Sequence, residues 1–247
     1  MDDISLLKNR FSDLASRSYD RGIYTFSDFL TQAEQSELMK MKLPVSFSLF
    51  GGYGNAERCI AVFGNEEDFG YEAVLPVVFI KIEPLQMKFA DTLTHRDFLG
   101  SLMGLGIRRE MLGDIIIKEN VAFLVCHESV SGYIISQLDK VKHTSVKCCV
   151  SDYIPDDVLP ELRYEELIVA SGRLDVIISA VYNLSRNESQ KRIEGETVFC
   201  DSLVTVSTSY VPKNGTLISV RGLGRFVYDG VLRQTKKGRN VIAVRIY

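Results

Sequence analysis

The sequence has no apolar run long enough to cross a membrane. Its longest run covers residues 73–80, whereas a membrane-spanning helix needs roughly 20 apolar residues. The chain starts with Met1-Asp2-Asp3, and this acidic start lacks the apolar segment of a secretory signal. We therefore expect a cytoplasmic protein with no membrane partner.

Cysteine and histidine are too scattered to predict a metal centre. The five cysteines include no Cys-x-x-Cys pair, and we interpret them as reduced thiols. His95, His127 and His143 also lack the spacing of metal ligands. The chain has no Gly-x-Ser-x-Gly sequence and no P-loop. The sequence thus predicts no catalytic residue, no metal and no cofactor.

Charge is divided unevenly along the chain. The formal net charge of -3 hides this division. Residues 1–162 contain 16 Lys and Arg against 24 Asp and Glu, whereas residues 163–247 contain 13 against 8. A basic C-terminal part favours a polyanionic partner such as RNA, because neutralising phosphates supplies most non-specific affinity. The alternative is a basic surface with no ligand.

The N-terminal part predicts a mixture of helices and strands. Apolar residues recur with helical spacing over residues 4–14. Thr31 and Glu34 have the spacing of a capping box, which predicts that a second helix begins there. Residues 45–50 and 59–63 are typical of two strands joined by a glycine-rich turn.

The central part predicts the order β-α-β-β-α-β, which is the ferredoxin-like arrangement shared by RNA-recognition motifs. The predicted helices cover residues 97–105 and 128–140. Four strands are predicted at residues 77–82, 114–118, 121–126 and 144–150. Phe123 is the only aromatic residue of the strand 121–126, and we expect it in the core. The strands therefore do not predict an aromatic platform for stacking RNA bases.

The C-terminal part follows a linker at residues 154–160. A strand is predicted at residues 165–170, and a helix with an apolar face follows, containing Leu174 and Ile177. Ser185 and Glu188 form a second capping-box pattern and predict a short helix that ends by Gly195. Five further strands are predicted, at residues 197–200, 203–206, 216–220, 226–231 and 240–246.

Several motifs resemble known families. Arg173-Leu174-Asp175, Ser185-Arg186 and Gln190, followed by a strand-rich tail, resemble the S4 RNA-binding domain. The run 93–107 resembles the signature of the YlmH family. Further matches to that family are Phe50–Tyr53 with Ala56–Arg58, and Arg221–Phe226 with Thr235–Arg239. The Cys200-Asp201 turn departs from the asparagine-containing turn that is usual in S4 domains, which weakens any expectation of a contact from Asp201.

The resemblance implies an α+β fold with a small N-terminal α/β region (1–73), a ferredoxin-like, RRM-like central domain (74–153) and a C-terminal S4 (αL) domain (163–247). It also implies a monomeric, non-enzymatic factor. The expected partners are the large ribosomal subunit, its rRNA and peptidyl-tRNA, in ribosome-associated quality control of stalled nascent chains.

Candidate RNA-binding residues are mostly cationic and fall in two groups. The C-terminal group is Arg173, Ser185, Arg186, Gln190, Lys191, Arg192, Arg221, Arg225, Lys236, Lys237 and Arg239. In the central part the candidates are His95, Arg96, Arg108 and Arg109. Arginine is suited to bidentate phosphate contacts, and the amides that begin the helix after Ser185 are a natural phosphate site.

Two other functions remain open from the sequence. Pseudouridine synthases carry S4 domains and use an Arg-Leu-Asp motif around a catalytic aspartate, so an RNA-modifying enzyme is one alternative. We expect Asp175 to be a cap or an ion-pair partner instead. The other alternative is an interaction protein linked to cell division, for which the acidic residues 1–162 would be the binding part.

Overall fold

Two compact units make up the chain, Met1–Leu159 and Pro160–Tyr247. The computed structural model describes residues 3–54, 56–159, 161–201 and 203–247. The division lies in the predicted linker, whose Pro160 is outside the described residues. Both units combine helices with antiparallel sheets, so the expected α+β class is confirmed.

The first unit contains five described helices and eight strands. The helices are α1 (Asp3–Arg21), α2 (Gln32–Met39), α3 (Glu66–Phe69), α4 (His95–Gly104) and α5 (Glu128–Gln137). The strands are β1 (Thr25–Phe26), β2 (Phe47–Phe50), β3 (Ile60–Phe63), β4 (Val77–Pro84), β5 (Leu112–Lys118), β6 (Val121–His127), β7 (Lys140–Val141) and β8 (Thr144–Ser151). Short 3-10 turns cover Met87–Phe89, Arg109–Met111 and Asp156–Val158.

A three-stranded antiparallel sheet forms the N-terminal part, with the order β1-β3-β2. Helices α1 and α2 bury Phe11 and Leu38 against Phe63 of this sheet. The capping box of α2 is formed as predicted, since Glu34 N–H donates to the Thr31 hydroxyl and the Glu34 carboxylate accepts from Thr31 N–H.

The second sheet of this unit has the strand order β5-β6-β4-β8-β7, and every neighbouring pair is antiparallel. Helices α4 and α5 share its apolar core. Glu119 and Asn120 form the predicted tight turn between β5 and β6, with φ values of 49° and 65°. Phe123 is buried, as expected, in a core shared with Ile60 and Val62 of the N-terminal sheet. The two sheets are therefore parts of one packed unit.

The second unit contains two helices and six strands. These are β9 (Arg163–Val169), α6 (Leu174–Val181), α7 (Arg186–Glu194), β10 (Val198–Cys200), β11 (Leu203–Val204), β12 (Thr216–Val220), β13 (Gly224–Gln234) and β14 (Asn240–Ile246). One antiparallel sheet has the order β11-β10-β12-β13-β14-β9. Leu174, Ile177 and Ile178 of α6 and Ile193 of α7 are buried in a core with the sheet. The predicted apolar face of α6 is thus confirmed.

Two predicted boundaries were wrong by three residues. Helix α5 ends at Gln137 rather than at residue 140, because Lys140–Val141 pairs with β8. Strand β13 continues to Gln234 rather than ending at residue 231. Its register shifts between Tyr228 and Val231, and Gly230 has a φ of 94° there. A β-bulge at Gly230 thus lets the strand continue beyond the residue at which its end was predicted.

Candidate nucleic-acid interface

A buried carboxylate gathers three polar side chains at the start of the two helices of the second unit. Asp175 is fully buried in the first turn of α6. Its Oδ1 accepts from Arg173 Nε at 3.0 Å, and its Oδ2 accepts from Arg173 Nη2 at 3.2 Å. Oδ2 also accepts from Arg186 Nε at 3.1 Å and from Gln190 Nε2 at 3.1 Å. We call Asp175, Arg173, Arg186 and Gln190 the Asp175 cluster.

The Asp175 cluster is net positive, because two guanidinium groups share one carboxylate. Burial acts to raise the pKa of Asp175, but hydrogen bonds from Arg173, Arg186 and Gln190 outweigh it and hold the pKa below its usual value. The side chains of Arg186 and Arg173 are still 60% and 35% exposed. The expectation that Asp175 is an ion-pair partner is thus confirmed, and both arginines keep surface that an anion can reach.

The N-terminus of α7 is closed by its own capping box. Glu188 N–H donates to Ser185 Oγ at 3.2 Å. The Glu188 carboxylate accepts from Ser185 Oγ at 2.7 Å and from Ser185 N at 2.9 Å. These hydrogen bonds hold the pKa of Glu188 below its usual value. The predicted cap is confirmed, but it brings a carboxylate to the helix start, where the amides were expected to bind phosphate.

Arg192 lies in the last turn of α7 and has a different partner from Arg186. Its Nη1 donates to the carbonyl oxygen of Arg221 at 3.3 Å. The Arg221 guanidinium lies over the Phe199 ring, 4.9 Å from its centroid, which is within the range of a cation–π contact. Arg192 therefore does not join Arg173 and Arg186 in one cluster, and Lys191 beside it is exposed.

Arg225 makes a second contact of the same kind. Its guanidinium lies 4.2 Å from the centroid of the Tyr247 ring. Arg221 and Arg225 flank the start of β13, where Val220 pairs with Gly224. We call Arg192, Arg221 and Arg225 the Arg221 group.

Three cations project from the turn between β13 and β14. Lys236, Lys237 and Arg239 are exposed, and we call them the hairpin tip. Thr235 closes this turn, because its N–H donates to Arg239 O at 2.7 Å and its Oγ1 accepts from Arg239 N at 3.0 Å.

Strand pairing places these groups at two ends of one sheet. Asn240, next to the hairpin tip, pairs with Val169, and the chain after Val169 leads to Arg173. The hairpin tip and the Asp175 cluster therefore lie at the same end of the sheet. The Arg221 group lies at the other end, and α7 connects the two, since Arg186 and Arg192 are about 9 Å apart along its axis. The basic residues thus form a band rather than a single patch.

In the first unit, the candidates His95 and Arg96 begin α4 and are exposed. Arg108 lies beyond the other end of this helix and is exposed, with an ion pair of 3.0 Å to Glu110. The two basic pairs therefore flank α4, but His95 and Arg96 are its first two residues, whereas the sequence predicted a start at residue 97.

Arg109 is turned inward, unlike its neighbour Arg108. Its Nη1 donates to Leu112 O at 2.6 Å and to Gly113 O at 3.2 Å. Burial, with the nearby Arg58, lowers the pKa of Arg109 to about 10. This geometry favours a structural role for Arg109. A contact between Arg109 and RNA stays a prediction.

The motif at residues 50–58 holds the first unit together. Asp114 accepts from Tyr53 Oη at 2.8 Å and from Glu57 N at 2.7 Å. The Arg58 guanidinium donates to Leu112 O at 2.9 Å and to Phe29 O at 2.7 Å. These bonds tie the loop to β5, so the motif has a structural role.

Sequence reasoning missed the aromatic partners of the basic residues. Phe199 under Arg221 and Tyr247 beside Arg225 follow from strand register, which pairs Phe199 with Ser219 and Phe226 with Ile246. No local motif carries that information, because the partners are far apart in the chain.

The described residues contain no group of three or more His, Cys, Asp and Glu arranged to hold a metal ion. None of the helices within the described ranges combines the length and apolar character needed to cross a membrane.

Known proteins resemble this chain over much of its length. Residues 67–153 match the family model described as "Putative RNA-binding domain in YlmH". The "Ribosome-associated protein quality control protein P2" of Bacillus subtilis (strain 168) is 28% identical over 225 residues, covering 86% of this chain and 83% of that protein. A solved structure, "Cell division protein ylmH from Streptococcus pneumoniae", matches with a TM-score of 0.47 and 17% identity, covering 61% of this chain and 92% of that chain. The family match contains the five-stranded sheet with α4 and α5.

Proposed function

We propose, from the now confirmed resemblance of this chain to the YlmH family, that it is a cytoplasmic RNA-binding factor of the ribosome. Its expected target is rRNA of the large subunit, with peptidyl-tRNA as a further contact, in quality control of stalled nascent chains. The family match at residues 67–153 and the name of the Bacillus subtilis relative support this proposal. The protein acts as a monomer.

The Asp175 cluster is the observation that carries the proposal. An RNA backbone needs cations that are exposed and held in place, and Arg173 and Arg186 meet both conditions. The hairpin tip at the same end of the sheet adds three exposed cations. Two helices packed on one antiparallel sheet also support an S4 domain as the architecture of this unit.

The central part is proposed to be a ferredoxin-like domain that makes a second RNA contact. Its strand order β5-β6-β4-β8, with a helix in each of the two connections, is the arrangement that a split β-α-β fold requires. His95, Arg96 and Arg108 are exposed on this domain and are its proposed contacts. The buried Phe123 argues against base stacking on the sheet.

The geometry favours a binding protein over a pseudouridine synthase. A catalytic aspartate must reach its substrate, whereas Asp175 is fully buried and both of its oxygens accept hydrogen bonds from protein side chains. We expect no pseudouridine when the purified protein is incubated with rRNA. Formation of pseudouridine would overturn the non-enzymatic proposal.

Co-sedimentation with isolated bacterial large ribosomal subunits tests the proposed function. We expect Arg173→Ala/Arg186→Ala to weaken binding by about ten-fold or more, because two phosphate-binding cations are removed. The control is Arg17→Ala/Arg21→Ala, which removes the same charge at two exposed positions of α1 in the first unit. If the first variant binds as tightly as the control, the Asp175 cluster is not the interface.

A further inference from the structure

The Asp175 cluster has a feature that phosphate binding alone does not require. An acidic group beside a phosphate site weakens attraction, yet Asp175 lies at the centre of the cluster and contacts both arginines. It is also fully buried, which is costly for a carboxylate unless its partners compensate. Asp175 therefore contributes to this cluster in some way other than through its charge.

The hydrogen bonds use only part of each guanidinium. A guanidinium has five N–H donors. Arg186 donates to Asp175 through Nε alone, and Arg173 donates through Nε and Nη2. Within the described parts of the chain, neither arginine has an ion pair with any other carboxylate. The remaining donors are available to a ligand on the exposed side.

The backbone at Asp175 is held by α7 and by the loop that follows β11. Ser189 of α7 donates from Oγ to the backbone carbonyl of Asp175 at 2.9 Å. Asp175 N donates to Thr208 O at 3.4 Å, and Leu174 N donates to Tyr210 O at 2.7 Å. The backbone of Asp175 is thus anchored, and its carboxylate contacts both Arg173 and Arg186.

We propose that Asp175 is a positioning residue, which holds the Arg173 and Arg186 guanidinium groups as a preformed fork for a backbone phosphate of RNA. A free arginine side chain loses rotamer entropy when it is immobilised. With Asp175 in place, most of that loss occurs on folding rather than on binding, so RNA binds more tightly. This inference rests on the proposed RNA-binding function.

The substitution Asp175→Asn distinguishes a positioning role from a purely electrostatic one, because the two predict opposite changes in RNA affinity. The substitution keeps the side-chain shape and removes one negative charge. If charge alone decided, RNA would bind more tightly. If Asp175 positions the arginines, RNA binds more weakly, and we expect an affinity loss on the order of ten-fold.

The experiment measures the affinity of the full chain for a fluorescent RNA stem-loop and for isolated large ribosomal subunits. Glu188→Gln is the charge-matched control, because it also removes one negative charge from α7 but lies outside the Asp175 cluster, and glutamine can still form the capping box with Ser185. We expect it to bind as tightly as the wild type or slightly more tightly. Thermal unfolding confirms that each variant is folded at the temperature of the binding measurement.

Arg186→Lys is a second variant that does not disturb a buried position, since the Arg186 side chain is largely exposed. It keeps the charge but loses the planar fork, and we expect a loss of affinity similar to that of Asp175→Asn. In NMR spectra, the Nε–Hε signals of Arg173 and Arg186 should exchange slowly in the wild type and rapidly in Asp175→Asn.

Three results decide between the inference and its premise. The positioning role is overturned if folded Asp175→Asn binds RNA as tightly as the wild type. It is also overturned if Arg186→Lys does so. If the wild type binds the stem-loop but not the subunits, the ribosomal part of the proposed function is wrong. The test of the positioning role is then still valid. Wild-type protein that binds neither overturns both.

Discussion

Arg58 and Arg108 are both cations of the first unit, but they have opposite roles. Arg58 is half-buried, and burial lowers its pKa. Its guanidinium donates to the backbone carbonyls of Phe29, Arg109 and Leu112. Arg108 is exposed, with one ion pair to Glu110. Position relative to the core, which a single sequence does not reveal, determines which arginine is free to meet a ligand.

We predict that Arg58→Ala destabilises the chain by about 3 kcal/mol, because hydrogen bonds from a charged group to buried carbonyls contribute about 1.5–3 kcal/mol each and are only partly replaced by water. Arg108→Ala should change stability by less than about 0.5 kcal/mol, as exposed ion pairs contribute little. Urea unfolding followed by circular dichroism measures both. Equal stability of the two variants would contradict the structural role of Arg58.

Contacts between residues a few positions apart in the chain could be predicted from the sequence. Contacts between residues far apart in the chain could not. The pairing of Asp175 with an arginine was expected, because Arg173 is only two residues away in the chain. The inward turn of Arg109 was not, since nothing local distinguishes it from Arg108. The aromatic partners Phe199 and Tyr247 also depend on strand register, which local patterns do not specify.

The starts of α2 and α7 were predicted from the sequence, whereas α4 begins at His95 rather than at the predicted residue 97. A capping box is written in four consecutive residues, and both predicted boxes, at Thr31 and Ser185, are formed. Helix and strand ends were predicted less well. Leu138 and Val141 are buried and continue the apolar pattern of α5, although the chain has already left the helix. The apolar spacing alone therefore extended the predicted helix too far.

We predict that Ser185→Ala destabilises the second unit by about 1 kcal/mol, because the cap of α7 is removed. It should also weaken RNA binding, since α7 carries Arg186 and Gln190 of the Asp175 cluster. Thr31→Ala is the matched control, because it removes the same kind of cap from α2 in the first unit. It should lower stability by a similar amount without changing RNA affinity. A loss of affinity in Thr31→Ala equal to that in Ser185→Ala would show that the effect is not specific to α7.

At the scale of the whole molecule, charge and fold divide at nearly the same place. The division between the two units lies at residues 159 and 160, within the linker predicted from its prolines and aspartates. Residues 163–247 carry a formal charge of +5, and residues 1–162 carry -8. Under the proposed function, the acidic first unit would favour selective binding, because it would repel RNA except where basic residues such as His95-Arg96 are exposed. Composition could predict this division, but it could not predict that the basic residues form a band across one sheet.

The salt dependence of RNA binding follows from that band. With about four to six neutralised phosphates, the slope of log affinity against log salt should be on the order of -3 to -5.

Removing the hairpin tip with Lys236→Ala/Lys237→Ala/Arg239→Ala should make the slope shallower by about 1 for each phosphate that is no longer neutralised. The control Arg17→Ala/Lys40→Ala/Lys42→Ala removes the same charge from exposed positions of the first unit and should leave the slope unchanged. Titration of the RNA stem-loop from about 50 to 200 mM salt measures all three slopes. A flat response of the wild type would contradict binding through the phosphate backbone, and equal slopes for the two variants would exclude the hairpin tip from the interface.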